Sequence, residues 1–310
     1  MRAVIIREFG GTEVLEVAEV PLPQPGHGQV RIHVHAASVN RIDLSTRNGA
    51  LAHAGLLVPA PVTGLGWDVS GRVDAVGSGT TRFAVGDAVI GLRDVLSAPG
   101  TQAEYVVLDQ GAVAPAPSSV TLVQAATLPL IGLTADRSLA MTGLTAGQTL
   151  LVTGAAGGVG GLVLQLAAQR GIRTVAVAGE ADEQLVRDLG ATWFTPRTDQ
   201  LAARVRELVP GGVDAVIDAA VIGVAAHEAL RGAGTFVALV APFAPPPLRG
   251  TRVLVQEVYA DGARLAELSA LVDAGVLTLR VADTLPLEDV AAAHDRLTTG
   301  GHRGRLVLTP

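Results

Sequence analysis

Apolar and polar residues alternate through most of the first 115 positions, in MRAVII, EVLEVAEV, QVRIHVHAAS, VSGRVDAVG and AEYVVL, with glycine and proline between the runs. A period of two puts every second side chain on one face, so these runs predict half-buried β-strands. PLPQPGHG (21–28) reads as a turn-rich link, because its prolines fix φ and remove hydrogen-bond donors. From about residue 120 the period lengthens, and VTLVQAATLPLIGLTADRSLAM predicts helix with Pro129 at a boundary or kink. A strand beginning at 149 then opens an alternation through TVAVA, EQLVRDLG, VDAVIDAA, AAHEALRG, TFVALV and VLVQEV. Such alternation predicts a parallel sheet with helices on both faces, hence an α/β fold class. DGARLAELSALVDAG (261–275) is a further helix, and the chain finishes as strand–helix–strand ending in GRLVLTP.

One segment points to chemistry. In TLLVTGAAGGVGGLVLQLAAQRG (149–171) an apolar strand runs into a glycine cluster that opens an amphipathic helix. Gly154, Gly157 and Gly160 recur every third residue, as do Ala155, Gly158 and Gly161 one step along. Small side chains at this spacing permit a sharp turn, a close approach of backbone to a pyrophosphate, and tight packing of helix on sheet. Free N–H groups and the positive dipole end at the helix start favour the anion. Gly154, Ala155, Ala156, Gly157, Gly158, Val159 and Gly160 are therefore expected to bind a dinucleotide.

Composition narrows the remaining chemistry. The 310 residues suffice for about two domains with ample core, and 49% apolar against 17% charged residues indicates a globular chain. A net charge of −6 offers no broad attraction for nucleic acid or anionic membranes. There is no cysteine and no lysine, all 23 basic residues being arginine, so thiolate nucleophiles, cysteine zinc sites and Schiff bases are excluded. Residues 138–169 carry no charge, a length that would span a bilayer, yet their glycines, threonines and Gln148 fit two buried helices around a buried strand. The N-terminus lacks a signal-peptide pattern, and a cytoplasmic location is expected. His33 and His35 share one face of a strand without a third ligand at suitable spacing, so no metal site is expected. No Gly-x-Ser-x-Gly elbow is present.

Several motifs in order complete the picture: AASVNRIDLSTRNG (36–49), PVTGLGWDVSGRVDAVGSGTTRFAVGDAVIG (61–91), AEYVV, LPLIGLTA (128–135), the glycine loop, and GHRGRLVL (301–308). Together they resemble the zinc-free quinone oxidoreductase branch of the medium-chain dehydrogenase/reductase superfamily, the group that includes zeta-crystallin, over nearly the whole length. The resemblance implies a GroES-like β-rich catalytic domain from residues 1–116 and 276–310, and a Rossmann dinucleotide-binding domain from 117–275. It implies a cofactor held between the two and a homodimer. VLVQEVY (253–259) is an apolar strand suited to forming such a dimer through a sheet edge. The implied reaction is NAD(P)H-dependent hydride transfer to a quinone or α,β-unsaturated carbonyl.

By the same resemblance Asn40 faces the nicotinamide or the substrate carbonyl, Asp43 orients its neighbours, and Arg47 holds a carbonyl or acidic group. Read from the residues alone, Asn40 and Asp43 equally suit a polar turn with local capping, and Arg47 a surface ion pair. Ser45 stands where the family often has tyrosine, which weakens the match to a flat quinone. Ser45 and Trp67 are expected to touch substrate, Trp67 having packing as its alternative. Asp68 and Asp87, beside glycines, suggest turn stabilisation rather than catalysis. Thr134 and Val240 are expected at the nicotinamide. For the adenosine end, Gly179 and Glu180 follow the second strand of the alternation, and an acidic residue there suits NADH. Arg197 could instead hold a 2′-phosphate. The family tips the expectation to NADPH, with NADH as rival. An enoyl-thioester or enone reductase of secondary metabolism, and a catalytically silent nucleotide-binding protein, are the alternatives.

Overall fold

The computed structural model describes residues 1–94 and 100–310. It divides into two compact units, the first comprising Met1–Leu133, Tyr259–Gly275 and Leu279–Pro310, the second Thr134–Val258 and Val276–Thr278.

The first unit begins with the alternating runs, which form β1 (Arg2–Ile6), β2 (Glu16–Glu19) and β3 (Gln29–Ser38). Two short helices follow, α1 (Arg41–Arg47) and α2 (Ala50–His53). Then come β4 (Thr63–Gly64), β5 (Asp68–Val76), β6 (Ala88–Leu92), β7 (Tyr105–Asp109) and β8 (Val113–Pro115). Val30, Ile32 and Val34 of β3 alternate inward and pack on Val69, Val73, Val89, Val106 and Leu108, so the period-two pattern becomes one buried face. His33 and His35 lie on the opposite, exposed face, with His33 stacked on Tyr105 at 4.9 Å. The helical stretch after 120 breaks into α3 (Leu122–Ala125) and α4 (Pro129–Thr142). Pro129 is the first residue of α4, where its missing N–H removes no helical bond.

The second unit alternates as the pattern requires. β9 (Thr149–Thr153), α5 (Gly158–Gln169), β10 (Arg173–Ala178), α6 (Glu183–Asp188), β11 (Trp193–Pro196) and α7 (Leu201–Leu208) make one half. β12 (Val213–Asp218), α8 (Val224–His227), β13 (Leu230–Ala238) and β14 (Arg252–Val255) make the other. All six strands are parallel, in the order β11-β10-β9-β12-β13-β14. This is the doubly wound 3-2-1-4-5-6 order, and strand order reverses between β9 and β12, which opens a crevice at their carboxyl ends. Within AAHEALRG the helix is a single turn, because the strand already starts at Leu230.

The chain then returns to the first unit with α9 (Gly262–Asp273), β15 (Val281–Pro286), α10 (Val290–Thr299) and β16 (Arg305–Thr309). β16 pairs with the end of β3, extending that sheet to the order β15-β16-β3-β5-β6-β8 with β7 also on β3. α9 belongs to this unit rather than to the Rossmann unit expected for 117–275. It sits so close to β8 that a Cβ on Gly262 would meet the Val113 carbonyl oxygen at 2.4 Å, and Ser269 Oγ donates to Pro115 O at 2.9 Å. Among the described residues no helix is long and apolar enough to cross a membrane.

Candidate active site

The glycine loop lies at the carboxyl end of β9, beside the strand-order reversal. Gly154 has φ +61, a left-handed conformation that turns the chain out of β9 and that glycine adopts without strain. Gly157 is the exposed N-cap of α5, and a Cβ there would meet only Gly154 O, at 3.1 Å. Gly160 is buried, and its Cβ would lie 2.3 Å from Gly154 O and 2.8 Å from Ala155 Cα. The three glycines thus divide the work: one turns, one leaves approach space, and one lets the helix close on the loop. The first helical bond runs from Gly161 N to Gly157 O, so the N–H groups of Gly158, Val159 and Gly160 precede the helical ladder. A diphosphate fits this arrangement. Ala155 and Ala156 are buried beneath it, with Ala155 N bonded to Val177 O.

Around the loop, Gly179 and Glu180 follow β10, Glu180 being exposed. Arg197 follows β11, its N donating to Ala178 O at 3.1 Å, and its exposed side chain therefore rises from the strand next to the Glu180 turn. Val240 follows β13 and is 40% exposed, whereas Thr134 is buried within α4. A residue pair unrecognised in the sequence joins the two central strands: Thr153 Oγ1 donates to the buried Asp218 carboxylate at 2.6 Å.

In the first unit, Asn40, Asp43, Asp68 and Arg305 form a cluster at the start of α1. Asp43 is buried and accepts from Asn40 N at 2.7 Å, Gly66 N at 3.2 Å and Gln102 Nε2 at 3.3 Å. Burial, together with the nearby Asp68 charge, pushes the Asp43 carboxyl up to about 7 against those donors. Asp68, also buried, accepts from Ser38 Oγ at 2.5 Å, Asn40 Nδ2 at 2.7 Å and Leu130 N at 2.5 Å, tying β3, α1 and the first turn of α4 together. It stabilises this junction rather than the turn expected of it, whereas Asp87 does cap a turn, accepting from Ala84 N. The Asn40 amide is taken up by protein: Nδ2 also donates to Ser38 O at 3.3 Å, and Oδ1 accepts from Arg305 Nη2, which also binds Val39 O. Asn40, expected to face the nicotinamide or the substrate carbonyl, thus has both amide hydrogens engaged.

Among the described residues Arg47 does not form the surface ion pair that was its alternative. Its Nη1 donates to His294 Nδ1 at 3.2 Å, and burial followed by the Arg47 charge lowers His294 to about 4, so the imidazole is neutral. Ser45 is partly exposed, and among the described residues its hydroxyl makes a 3.5 Å contact with Arg41 O. Trp67, expected to touch substrate, is buried at 1% exposure, which favours its packing alternative.

Two family models match the chain, the alcohol dehydrogenase GroES-like domain over residues 26–118 and zinc-binding dehydrogenase over residues 180–308. An NADPH-dependent alkenal/one oxidoreductase of Arabidopsis thaliana, chloroplastic, is 32% identical, covering 100% of this chain and 80% of its own. The quinone oxidoreductase of Homo sapiens is 30% identical over 99% of this chain and 97% of its own. A crystal structure of an NAD-dependent alcohol dehydrogenase superposes with a TM-score of 0.89 at 31% identity, covering 100% of both chains. The zinc in the second model's description finds no matching donor set here. The chain lacks cysteine, and among the described residues no group of three histidine or acidic side chains is placed to hold a metal ion.

Proposed function

The chain belongs to the quinone oxidoreductase branch of the medium-chain dehydrogenase/reductase superfamily, and we propose that it reduces an α,β-unsaturated carbonyl or quinone with NADPH. The observation that carries this reading is the glycine loop at the reversal of a 3-2-1-4-5-6 parallel sheet, with three N–H groups ahead of the α5 ladder. When bound there, the dihydronicotinamide supplies a hydride to the β-carbon of the acceptor.

The residues of the chain then bind, orient and position. Gly158, Val159 and Gly160 hold the diphosphate through backbone N–H groups, and Gly157 leaves its approach free. Arg197, whose guanidinium makes no ion pair among the described residues, receives the 2′-phosphate and favours NADPH. Glu180 opposes that charge, so NADH remains a usable donor. Val240 borders the nicotinamide with Thr134. On the first unit, Asp43, Asp68 and Arg305 fix α1 through Asn40, which makes Asn40 a positioning residue. The Ser45 hydroxyl, weakly held, is the α1 group available to the substrate. Arg47 keeps α1 on α10 through His294. The electron pair displaced by the hydride collects on the carbonyl oxygen, and water protonates the resulting enolate. The rate gain comes from orientation and fixed dipoles. The exposed β14 edge is the surface offered to a second copy in a homodimer.

Titration with both reduced nicotinamides, followed by turnover on a panel of quinones and enones, tests the reading. NADPH binds more tightly and is oxidised in the presence of an enone or quinone. An empty site at saturating NADPH and NADH overturns it, and tight binding without turnover identifies a silent nucleotide-binding protein.

A further inference from the structure

The carboxyl ends of β9 and β12 carry a hydrogen-bonded device outside the groups assigned above. Thr153 and Asp218 are register partners across these strands, at the reversal of strand order. Asp218 is buried at 2% exposure and bears no cation among the described residues. Its Oδ1 accepts from Thr153 Oγ1 at 2.6 Å and Ile222 N at 3.2 Å, and its Oδ2 from Gly223 N at 2.7 Å. Thr153 Oγ1 in turn accepts from Ala220 N at 2.9 Å. The two side chains therefore hold the backbone on either side of Val221.

That residue needs holding. Val221 has φ +59, a left-handed backbone that β-branched side chains strongly disfavour. The same loop abuts the glycine turn, since a Cβ on Gly154 would lie 3.2 Å from Ala219 C and Ala220 N. The turn that receives the diphosphate and the loop after β12 are thus set by one carboxylate. Strain retained beside a ligand crevice needs surrounding bonds to maintain it, and these are the bonds.

We propose that Asp218, acting through Thr153, is a positioning residue for the dinucleotide: it fixes residues 219–223 so that the crevice beside Gly154 has the width the bound cofactor requires. This rests on the proposed nicotinamide site. Asparagine in its place keeps one acceptor oxygen and turns the other into a donor, so part of the set Thr153 Oγ1, Ile222 N and Gly223 N loses its acceptor, which lets Val221 relax and moves the loop against the crevice.

The test compares Asp218→Asn, Thr153→Val, Thr153→Ser and the Asp218→Asn/Thr153→Val double variant. NADPH affinity is read by nicotinamide fluorescence and turnover by kcat and KM separately. Asp218→Asn and Thr153→Val each weaken NADPH by about tenfold and lower kcat as well, since a charged acceptor or its hydroxyl partner is lost. Thr153→Ser, which keeps the hydroxyl, stays within about twofold of the parent. The double variant is no worse than the weaker single one, because the two groups act as a unit. Affinity and kcat unchanged in the Thr153→Val enzyme, no rescue by serine, or losses that multiply in the double variant would each overturn the proposal. If Asp218→Asn does not fold, the Val and Ser pair at 153 decides alone. A parent protein that binds neither NADPH nor NADH defeats the nicotinamide site itself, an outcome distinct from a parent that binds while the variants bind equally well.

Discussion

Gly157 and Gly160 look equivalent in the sequence, three residues apart in a run of small side chains, and the structure separates them. A methyl at 160 would fall on backbone atoms of the loop, at 2.3 and 2.8 Å, which cannot move without opening the turn. At 157 the nearest atom is 3.1 Å away and no other lies within 4 Å, which leaves open the approach proposed for the diphosphate. Gly160→Ala should therefore destabilise the second unit by about 1–3 kcal/mol, seen in denaturant melts, as overpacking does. Gly157→Val should leave a cooperatively folded protein that no longer binds NADPH. Unchanged affinity in that variant would show that the diphosphate lies elsewhere. Val221 gives the converse case. Replacing it with glycine removes the left-handed penalty of about 1–2 kcal/mol, less the entropy cost of glycine of about 0.5–1 kcal/mol, so Val221→Gly should raise the melting temperature slightly. The spacing of the glycines was legible because backbone geometry dictates residue type there. The strain at Val221 was not, since nothing local marks it.

At the scale of elements, two buried groups around α1 and α10 make stability respond to pH in opposite senses. The Asp43 carboxyl moves from 3.8 up to about 7 on folding, mainly through burial, so across that window the folded state holds a proton that the unfolded chain releases. Stability then falls as pH rises from the first value to the second. His294 moves from 6.5 down to about 4, again through burial, so the unfolded chain takes up a proton that the folded state refuses. Its contribution is present above the upper value and lost as pH falls through the window. The two slopes overlap and oppose one another in the parent protein. Asp43→Asn should leave stability rising with pH through that window, and His294→Asn should leave it falling, each measured by chemical denaturation at the window's two ends. Identical slopes in parent and variants would mean that neither group stays buried in the folded state. The sequence showed Asn40 and Asp43 as a turn or a catalytic pair and could not show the cluster, because Arg305 reaches Asn40 across 265 residues and Asp68 across 28.

At the scale of the whole molecule, the order of strands and helices was largely legible, since periods of two and of strand–helix alternation are written into successive residues. The boundary was less so: α9 has a helical pattern like any in the second unit, and its packing on β8, with Asp273 accepting from Ser118 and Ser119, assigns it to the first. The Thr153–Asp218 pair, 65 residues apart, is equally invisible until β9 and β12 lie side by side. Cofactor preference sits between these cases, because the sequence places an acid and an arginine near one another without ranking them. Glu180 and Arg197 stand on adjacent turns after β10 and β11, both exposed. A 2′-phosphate adds about two negative charges at pH 7, repelled by the first and attracted by the second, and its guanidinium contacts form charge-assisted bonds that an exposed carboxylate weakens only through water. The balance should favour NADPH, and linkage makes the preference measurable on the entire chain. A ligand present at a hundred times its Kd stabilises the folded state by about 2.7 kcal/mol. At one fixed concentration NADPH should therefore raise the melting temperature several degrees more than NADH does. Arg197→Ala should abolish that difference by weakening NADPH alone, and Glu180→Gln should widen it. Equal losses of both cofactors on removing Arg197 would place the phosphate contact on another residue.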